Sequence, residues 1–216
     1  MINQTLLNHP GGMYLYRVHV PKIEERCNGN YSTLKSYLQS VFNKCPDHLF
    51  VKGPRSSALK FKVPADIVEI QGHEVSKLAE LGLKENESRF KDRHSKVQLY
   101  MLENDSSTIA IEVPIWLEHT EMDNYMNLFR TFQPLTGHID ALRIDDDGKI
   151  WIWDYKPNAH KEKYAMTQTF FYALMLSRRT NISLDNFRCG YFDDKYAFAF
   201  KPGIDFLKEN KTLINF

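Results

Sequence analysis

The chain has 216 residues, of which 43% are hydrophobic and 13% aromatic, enough for a substantial core in one domain or in one with an elaborated end. Its 28 Lys and Arg residues balance 27 Asp and Glu residues, which excludes a nucleic-acid-coating protein or an acidic mimic, so any nucleic-acid surface must be local. No apolar run reaches the roughly 18 residues of a membrane helix and the start lacks a signal-peptide pattern, which predicts a cytoplasmic protein without a membrane partner.

Three cysteines occur, at positions 27, 45 and 189. They are odd in number and far apart, and no C-x-x-C pair is present. This pattern argues against structural zinc, an iron–sulfur cluster or a disulfide framework. We therefore expect no zinc and no iron–sulfur cluster.

The first third of the chain contains three predicted elements. Residues 13–20 alternate apolar and polar side chains, which predicts a strand. Residues 32–45 carry apolar side chains at helical spacing until Pro46, which predicts an amphipathic helix. Residues 59–63 alternate apolar side chains with lysines, which predicts a short strand.

The next elements each place one ionisable residue among apolar neighbours. Residues 90–101 have apolar side chains at helical spacing, with His94 on the inward face of the predicted helix. Taken alone, such a histidine is more often a hydrogen-bonded core residue than a ligand. Residues 108–117 read as a buried strand whose one charge, Glu112, needs a metal, a lysine or several N–H donors. Residues 118–136 form a connection with room for a short helix.

A β-hairpin follows, and it is the central feature of the sequence. Two apolar runs flank an acidic turn at residues 145–149. With that loop, Ile144 faces Ile150, and counting outward brings Asp140 opposite Asp154. Directly opposed side chains have Cβ atoms about 5 Å apart, where like charges are destabilising. The pair needs a cation between its carboxylates, and a divalent metal is the natural candidate.

Strand alternation adds a lysine to these acids. Asp154 and Lys156 share one face of the second strand, and Trp151, Trp153 and Tyr155 share the other. The sequence therefore predicts two carboxylates and one ammonium on a single patch of sheet.

The last part of the chain is predicted to contain a helix, a hairpin and a short terminal helix. The helix spans about residues 160–179 and is apolar nearly all round, which indicates burial. Gln168 lies one turn from Tyr172 on the same face, and a buried amide must find partners. Residues 187–200 form the hairpin, and residues 202–213 form the terminal helix.

An acidic residue two positions before a lysine is a weak signal, because it occurs four times. Asp147 and Asp193 belong to predicted surface turns, and Glu209 to the charged terminal helix. Asp154 alone lies on a strand that should be buried. The pattern becomes specific only in combination with the other polar residues that precede and follow it.

In chain order, that combination is His94 on a helix, a strand with Glu112, Gly-x-x-Asp at 137–140, Asp-x-Lys at 154–156, and Gln168 with Tyr172 on the next helix. It resembles the PD-(D/E)XK nuclease superfamily, and within it the RecB-like branch that includes CRISPR-adaptation and phage-type exonucleases. The resemblance covers roughly residues 85–200. It implies a mixed α/β, restriction-endonuclease-like fold: a central mixed sheet flanked by helices, with an α-β-β-β-α-β core. Many members of the branch carry four cysteines around an iron–sulfur cluster, which this chain cannot do.

The resemblance also implies roles for the residues of the set. Residues 137–140 match the second motif, residues 154–156 the third, and the two helical residues the Q-x-x-x-Y motif. Asp140, Asp154 and His94 would hold Mg²⁺ or Mn²⁺. The catalytic residues would be Asp140, Asp154, Lys156 and the accessory Glu112, and Gln168 and Tyr172 would contact the substrate backbone or hold the site together.

The chain should accordingly be a Mg²⁺- or Mn²⁺-dependent deoxyribonuclease acting on single- or double-stranded DNA, with exonuclease action favoured over endonuclease action. Residues 1–84 are expected to be an N-terminal elaboration of unknown role packed on the core, and residues 85–216 the nuclease core with a C-terminal hairpin and helix. One alternative is an inactive nucleic-acid-binding or regulatory subunit of the same fold. Another is a structural hairpin in which Asp140 pairs with Lys156 without metal. The sequence leaves the oligomeric state open.

Overall fold

The apolar runs of the sequence become the strands of one eight-stranded mixed sheet in a computed structural model of the chain, which describes residues 1–207. The strands are β1 (Ile2–His9), β2 (Gly12–His19), β3 (Val68–Glu69), β4 (Thr108–Leu117), β5 (Leu135–Ile144), β6 (Ile150–Tyr155), β7 (Phe187–Phe192) and β8 (Ala197–Phe200). The helices are α1 (Val20–Arg26), α2 (Ser32–Asn43), α3 (Glu74–Glu85), α4 (Arg93–Asn104), α5 (Tyr125–Phe129) and α6 (Ala165–Thr180). Across the sheet the order is β1-β2-β4-β5-β6-β7-β8-β3.

The centre of the sheet has the predicted α-β-β-β-α-β order. After α4, the strands β4, β5 and β6 pair antiparallel to one another. Helix α6 then provides the crossover that a parallel pair requires, and β7 lies parallel to β6. β7 and β8 form the predicted hairpin. The prediction of a mixed α/β fold with helices flanking a central mixed sheet is confirmed.

Helices cover both faces of this central sheet. On one face, α6 buries Phe170 and Phe171 completely in the main core. On the other, α3 and α4 cover Trp153 and Tyr155 of β6. Fully burying a side chain of this kind contributes about 1.5–3 kcal/mol, so both layers hold the sheet. The predicted separation of the aromatic face of β6 from the face of Asp154 is confirmed.

The N-terminal third adds three strands to the same sheet, β1 and β2 at one edge and β3 beside β8 at the other. β2 is the strand predicted at residues 13–20, and it pairs with both β1 and β4. β1 was not predicted, because its sequence INQTLLNH shows no clear alternation and buries only Leu7 and His9. α2 confirms the helix predicted from residue 32.

The predicted strand at residues 59–63 is wrong. Its apolar side chains are buried or partly buried and its lysines are exposed, as the alternation requires. Within residues 1–207, however, no strand pairs with it. Thr167 of α6 holds the segment instead: Val63 N–H donates to Thr167 Oγ1 at 3.2 Å, and that hydroxyl donates to Phe61 O at 2.6 Å.

Two predicted helices begin later than the apolar spacing indicated. α4 begins at Arg93, with Asp92 as its N-cap accepting from Ser95 N–H at 2.7 Å, so residue 90 precedes the helix. α6 begins at Ala165, because residues 159–161 form a separate 3₁₀ turn. The connection at residues 118–136 contains the short helix α5, for which the sequence had room.

Asp193 is buried, although the sequence indicated a surface turn. Its carboxylate accepts backbone N–H groups from Ala159, Lys195 and Tyr196, each at 2.8 Å, and thereby joins the β7–β8 turn to the segment before α6. At the other end of β8, the described part of the predicted terminal helix is a 3₁₀ turn, Ile204–Leu207. The remainder, including Glu209, lies outside the described residues. Among the helices of residues 1–207, none combines the length and apolar character needed to cross a bilayer.

Candidate active site

The β5–β6 hairpin has the predicted register. Ile144 pairs with Ile150, and the ladder continues for three further pairs. One step beyond the last pair, the same count brings Asp140 alongside Asp154. At this position the hydrogen-bond acceptor is a side chain: Tyr155 N–H donates to Asp140 Oδ2 at 2.9 Å. The loop length therefore fixes both acids at one end of the hairpin.

Asp154 is the most enclosed acid of this group, with 1% of its surface exposed. Lys156 Nζ lies 2.7 Å from Asp154 Oδ2. The pKa of Asp154 is raised to about 6 as the net result of three effects. Burial raises it most, the charge of Lys156 lowers it, and the charge of Asp140 raises it. Burial also lowers the pKa of Lys156, but the carboxylates of Asp154 and Asp140 outweigh this and raise that pKa above its ordinary value. Lys156 is therefore a permanent cation at the site.

Gln168 and Tyr172 on α6 form a hydrogen-bonded chain that holds the Asp154 carboxylate. Gln168 Nε2 donates to Asp154 Oδ1 at 2.9 Å and to the Tyr172 hydroxyl oxygen at 2.7 Å. Tyr172 in turn occupies the space beside Gly137, where an added Cβ would lie 2.3 Å from Tyr172 Cε1. Glycine at 137 is required for α6 to approach β5 this closely. The structure thus brings both helical residues to the acids, with Gln168 orienting one of them.

Glu112 has an unusual backbone for a strand residue, with φ at +52°. The β4–β5 pairs on either side of Glu112 keep one register, which places it opposite Asp140. A non-glycine residue in this conformation costs about 1–3 kcal/mol, and such strain concentrates at functional sites. Gln98 Nε2 donates to Glu112 Oε1 at 2.7 Å. Burial, followed by the charge of Asp140, raises the pKa of Glu112 to about 8.

His94 lies at the mouth of the site, in the first turn of α4. Its Nε2 atom is 3.9 Å from Asp140 Oδ2, and its ring contacts Tyr155 edge-on with centroids 5.1 Å apart. The side chain is 43% exposed, so the histidine predicted to face inward does face the sheet but is only partly enclosed. The reason is that α4 begins at Arg93, which leaves His94 in the partly exposed first turn of the helix.

Acidic groups outnumber basic groups where these side chains converge. Three carboxyl groups, those of Glu112, Asp140 and Asp154, share the site with one ammonium, that of Lys156, and the charge of Asp140 contributes to the raised pKa values of both Glu112 and Asp154. Within residues 1–207, the buried Asp154 Oδ2 has the Lys156 ammonium as its one close partner. Carboxylate oxygens are the ligands that Mg²⁺ and Mn²⁺ prefer. The residues present therefore fit a divalent cation, with an imidazole at the open side.

Gln98 is a residue of this site that the sequence analysis did not include. It is buried on α4, four residues after His94, and it holds the strained Glu112. A polar amide one helical turn from a candidate ligand was the available signal, the same signal that singled out Gln168 on α6.

Replacing Glu112 by Gln should stabilise the protein when metal is chelated. The pKa of Glu112 in the folded chain, about 8, lies above its ordinary value of 4.5. The folded state therefore keeps a proton that the unfolded chain releases, and stability falls as pH rises from 4.5 towards 8. Glu112→Gln removes this loss, so its Tm in EDTA should exceed the native Tm by a margin that grows over this pH range.

Thermal unfolding followed by circular dichroism at several pH values measures this difference. Glu80→Gln is the matched control, because Glu80 is exposed on α3. A Tm for Glu112→Gln that equals the native value near pH 8 would contradict the raised pKa of Glu112 in the folded chain.

Comparisons with known proteins identify one family. The family model of the PD-(D/E)XK nuclease superfamily matches residues 10–204, which includes every residue of the candidate site. Searches of the curated proteins and of the solved structures returned no significant match.

Proposed function

The chain belongs to the PD-(D/E)XK nuclease superfamily, and we propose that it is a metal-dependent nuclease that hydrolyses phosphodiester bonds in DNA. The observation that carries this proposal is the convergence of Asp140, Asp154 and Lys156 at one end of the hairpin. The acids are buried there without enough cationic charge to balance them. A chain that had lost the chemistry would have no reason to keep this cluster.

In the proposed mechanism, Asp140 and Asp154 would hold Mg²⁺ or Mn²⁺, and His94 on α4 would complete the ligand set. Glu112, opposite Asp140 on β4, would be an accessory ligand or would position the other ligands. The metal, when bound, supplies Lewis-acid stabilisation of charge on the phosphate and lowers the pKa of bound water. Asp140 is held by the Tyr155 N–H and Asp154 by Gln168, so both carboxylates are oriented before the substrate arrives.

Lys156 orients and polarises the attacking water and offsets negative charge that develops on the phosphorane-like transition state. Its raised pKa keeps the ammonium protonated, so it acts by charge and hydrogen bonding. Gln168 and Tyr172 keep Asp154 in position, and we propose that they also contact the substrate backbone. Burial raises the pKa of the Tyr172 hydroxyl, so it remains a donor.

The finer assignments rest on the motif pattern. The order of His94, the Gly-x-x-Asp and Asp-x-Lys motifs and the Q-x-x-x-Y helix favours the RecB-like branch and, through it, exonuclease action. Residues 85–216 then form the nuclease core. Residues 1–84, which contain β1, β2, β3, α1, α2 and nearly all of α3, are an elaboration of it.

The main alternative is an inactive nucleic-acid-binding or regulatory subunit of the same fold. The full acid-acid-lysine set weighs against it. The metal-free structural hairpin is less well supported, because it pairs Lys156 with Asp140, whereas the 2.7 Å ion pair of Lys156 is with Asp154. In addition, one lysine cannot pair with all three carboxyl groups of the site, those of Glu112, Asp140 and Asp154.

One experiment separates these functions. The purified protein is incubated with four substrates, each with Mg²⁺, Mn²⁺ or EDTA. Single-stranded DNA, linear duplex DNA and RNA carry a 5′ label, and the circular duplex is unlabelled. We expect cleavage of DNA with metal and none with EDTA, and loss of linear but not circular duplex if the action is exonucleolytic. Binding to DNA without cleavage of any substrate would favour the inactive subunit.

A further inference from the structure

A second group of metal-binding side chains lies at the far end of β1. His9 ends that strand, and Cys45 and Asp47 flank Pro46 after α2. His9 Nε2 is 2.8 Å from Asp47 Oδ1 and 3.9 Å from Cys45 Sγ, and one ligand atom from each residue lies within 4.8 Å of the others. We propose that His9, Cys45 and Asp47 form a Zn²⁺ site distinct from the candidate active site.

The spacing of the three donor atoms suits a tetrahedral ion. Zn²⁺ binds nitrogen and oxygen at about 2.0–2.2 Å and sulfur at about 2.3 Å, so donors at tetrahedral angles stand roughly 3.3–3.6 Å apart. The His9 to Asp47 distance of 2.8 Å is shorter than this and the His9 to Cys45 distance of 3.9 Å is longer. Both distances lie within about half an ångström of this range, a difference that small side-chain rotations would remove.

His9 is already oriented as a metal ligand. Its side chain is buried, and its ring stacks on Phe50 with centroids 4.0 Å apart and planes 11° apart. Its second nitrogen, Nδ1, lies 2.9 Å from His138 Nε2, and His138 is itself stacked on Tyr14. A partner on the second nitrogen fixes the tautomer of a ligating histidine and aims the other nitrogen at the metal. Here Nε2 is aimed at Cys45 and Asp47.

The donor set selects the metal. A thiolate, an imidazole and a carboxylate together suit Zn²⁺, whereas Mg²⁺ prefers oxygen ligands. Burial, followed by the charge of Asp47, raises the pKa of Cys45 to about 12, so the metal-free thiol keeps its proton. Zn²⁺ would replace that proton, which passes to solvent. Asp47 is 64% exposed, so an ion has a path of entry and the fourth position is open to water.

A metal here would join parts of the chain that are distant in sequence. It would tie the β1 end to the segment after α2 and, through the contact between His9 and His138, support β5 two residues before Asp140. The proposal departs from the expectation of no zinc, which followed from the missing C-x-x-C pair; the fold supplies one cysteine and two other ligand types instead.

Titration of the full chain with Co²⁺ tests the site, because a cobalt–thiolate bond gives a near-ultraviolet charge-transfer band that carboxylate sites lack. We expect one equivalent of Co²⁺ to produce the band and Zn²⁺ to displace it. Cys45→Ser should lose the band. Asp47→Asn should weaken Co²⁺ binding more than tenfold, since loss of even an outer partner of a ligand costs about 10–100-fold. Cys27→Ser, the matched control at a buried thiol outside the cluster, should keep the band.

Thermal unfolding gives a second readout that does not depend on cobalt. Zn²⁺ should raise the Tm of the native chain by more than it raises the Tm of Cys45→Ser, in which only the candidate active site remains to bind it. Absence of the band, its survival in Cys45→Ser, or native affinity in Asp47→Asn would each overturn the proposal. Both variants are judged only after their metal-free Tm has shown that they fold.

Discussion

Asp154→Asn should lower the rate of metal-dependent DNA cleavage by at least about 10²–10³-fold, the loss typical of removing one preorganised electrostatic group. The substitution keeps the size of the side chain and an oxygen that can accept from Gln168 Nε2. It removes the charge that would hold the metal and that pairs with Lys156. The measurement is the initial rate of release of labelled nucleotide from linear DNA under Mg²⁺.

Lys156→Ala should reduce the rate by a similar factor for a different reason. It removes the ammonium that orients water and offsets charge on the transition state, while both carboxylates remain. Metal affinity should therefore persist in Lys156→Ala and fall in Asp154→Asn. This difference separates the two roles, which a general loss of structure would not do.

The hairpin offers a matched control for both variants. Asp147 and Lys149 form the same Asp-x-Lys spacing in the turn between β5 and β6, and Asp147 is exposed. Asp147→Asn and Lys149→Ala should cleave at the native rate. Cleavage by Asp154→Asn or Lys156→Ala at the native rate would remove those residues from the site.

The largest expected loss of stability comes from Arg143→Met. Arg143 of β5 is 1% exposed, and its guanidinium forms ion pairs with Asp105 at 3.0 Å and Glu74 at 2.9 Å. Asp105 is equally buried and accepts from Ser107 N–H at 3.1 Å. Removing one partner of a buried pair costs about 3–5 kcal/mol, because the other charge is left unpaired. At about 2–4 °C per kcal/mol for a chain of this size, the Tm should fall by roughly 6–20 °C.

Arg89→Met is the control for the buried pair. Arg89 forms two contacts with Glu103, at 3.0 and 3.2 Å, but both side chains are partly open to solvent. Such surface pairs contribute at most about 1 kcal/mol. Equal losses of Tm in the two variants would show that burial does not set the energy of the Arg143 cluster.

The hairpin was predictable because its information is local. An acidic turn of fixed length sets the register, and the register sets which residues face each other. Asp140 and Asp154 therefore could be placed together by counting from Ile144 and Ile150. The order of helices and strands around the hairpin followed from apolar spacing for the same reason.

What the sequence did not reveal depends on contacts between distant segments. The positive φ of Glu112 and its support by Gln98 arise only when α4 packs against β4. Residues 59–63 show the limit of alternation, which indicates which side chains are buried but not whether a neighbouring strand exists. The group of His9, Cys45 and Asp47 is likewise brought together by the β1 end and the segment after α2.

The central claim is that Asp140 and Asp154 meet to hold a divalent metal. Binding of Mn²⁺, followed by electron paramagnetic resonance of the free ion in competition with Mg²⁺, tests this claim without relying on a substrate. The native chain should bind Mn²⁺ at a site from which Mg²⁺ displaces it. Asp140→Asn and Asp154→Asn should weaken that binding more than about tenfold, and Asp147→Asn should leave it unchanged. Native affinity for Mn²⁺ in both Asp140→Asn and Asp154→Asn would show that these two acids do not hold the metal.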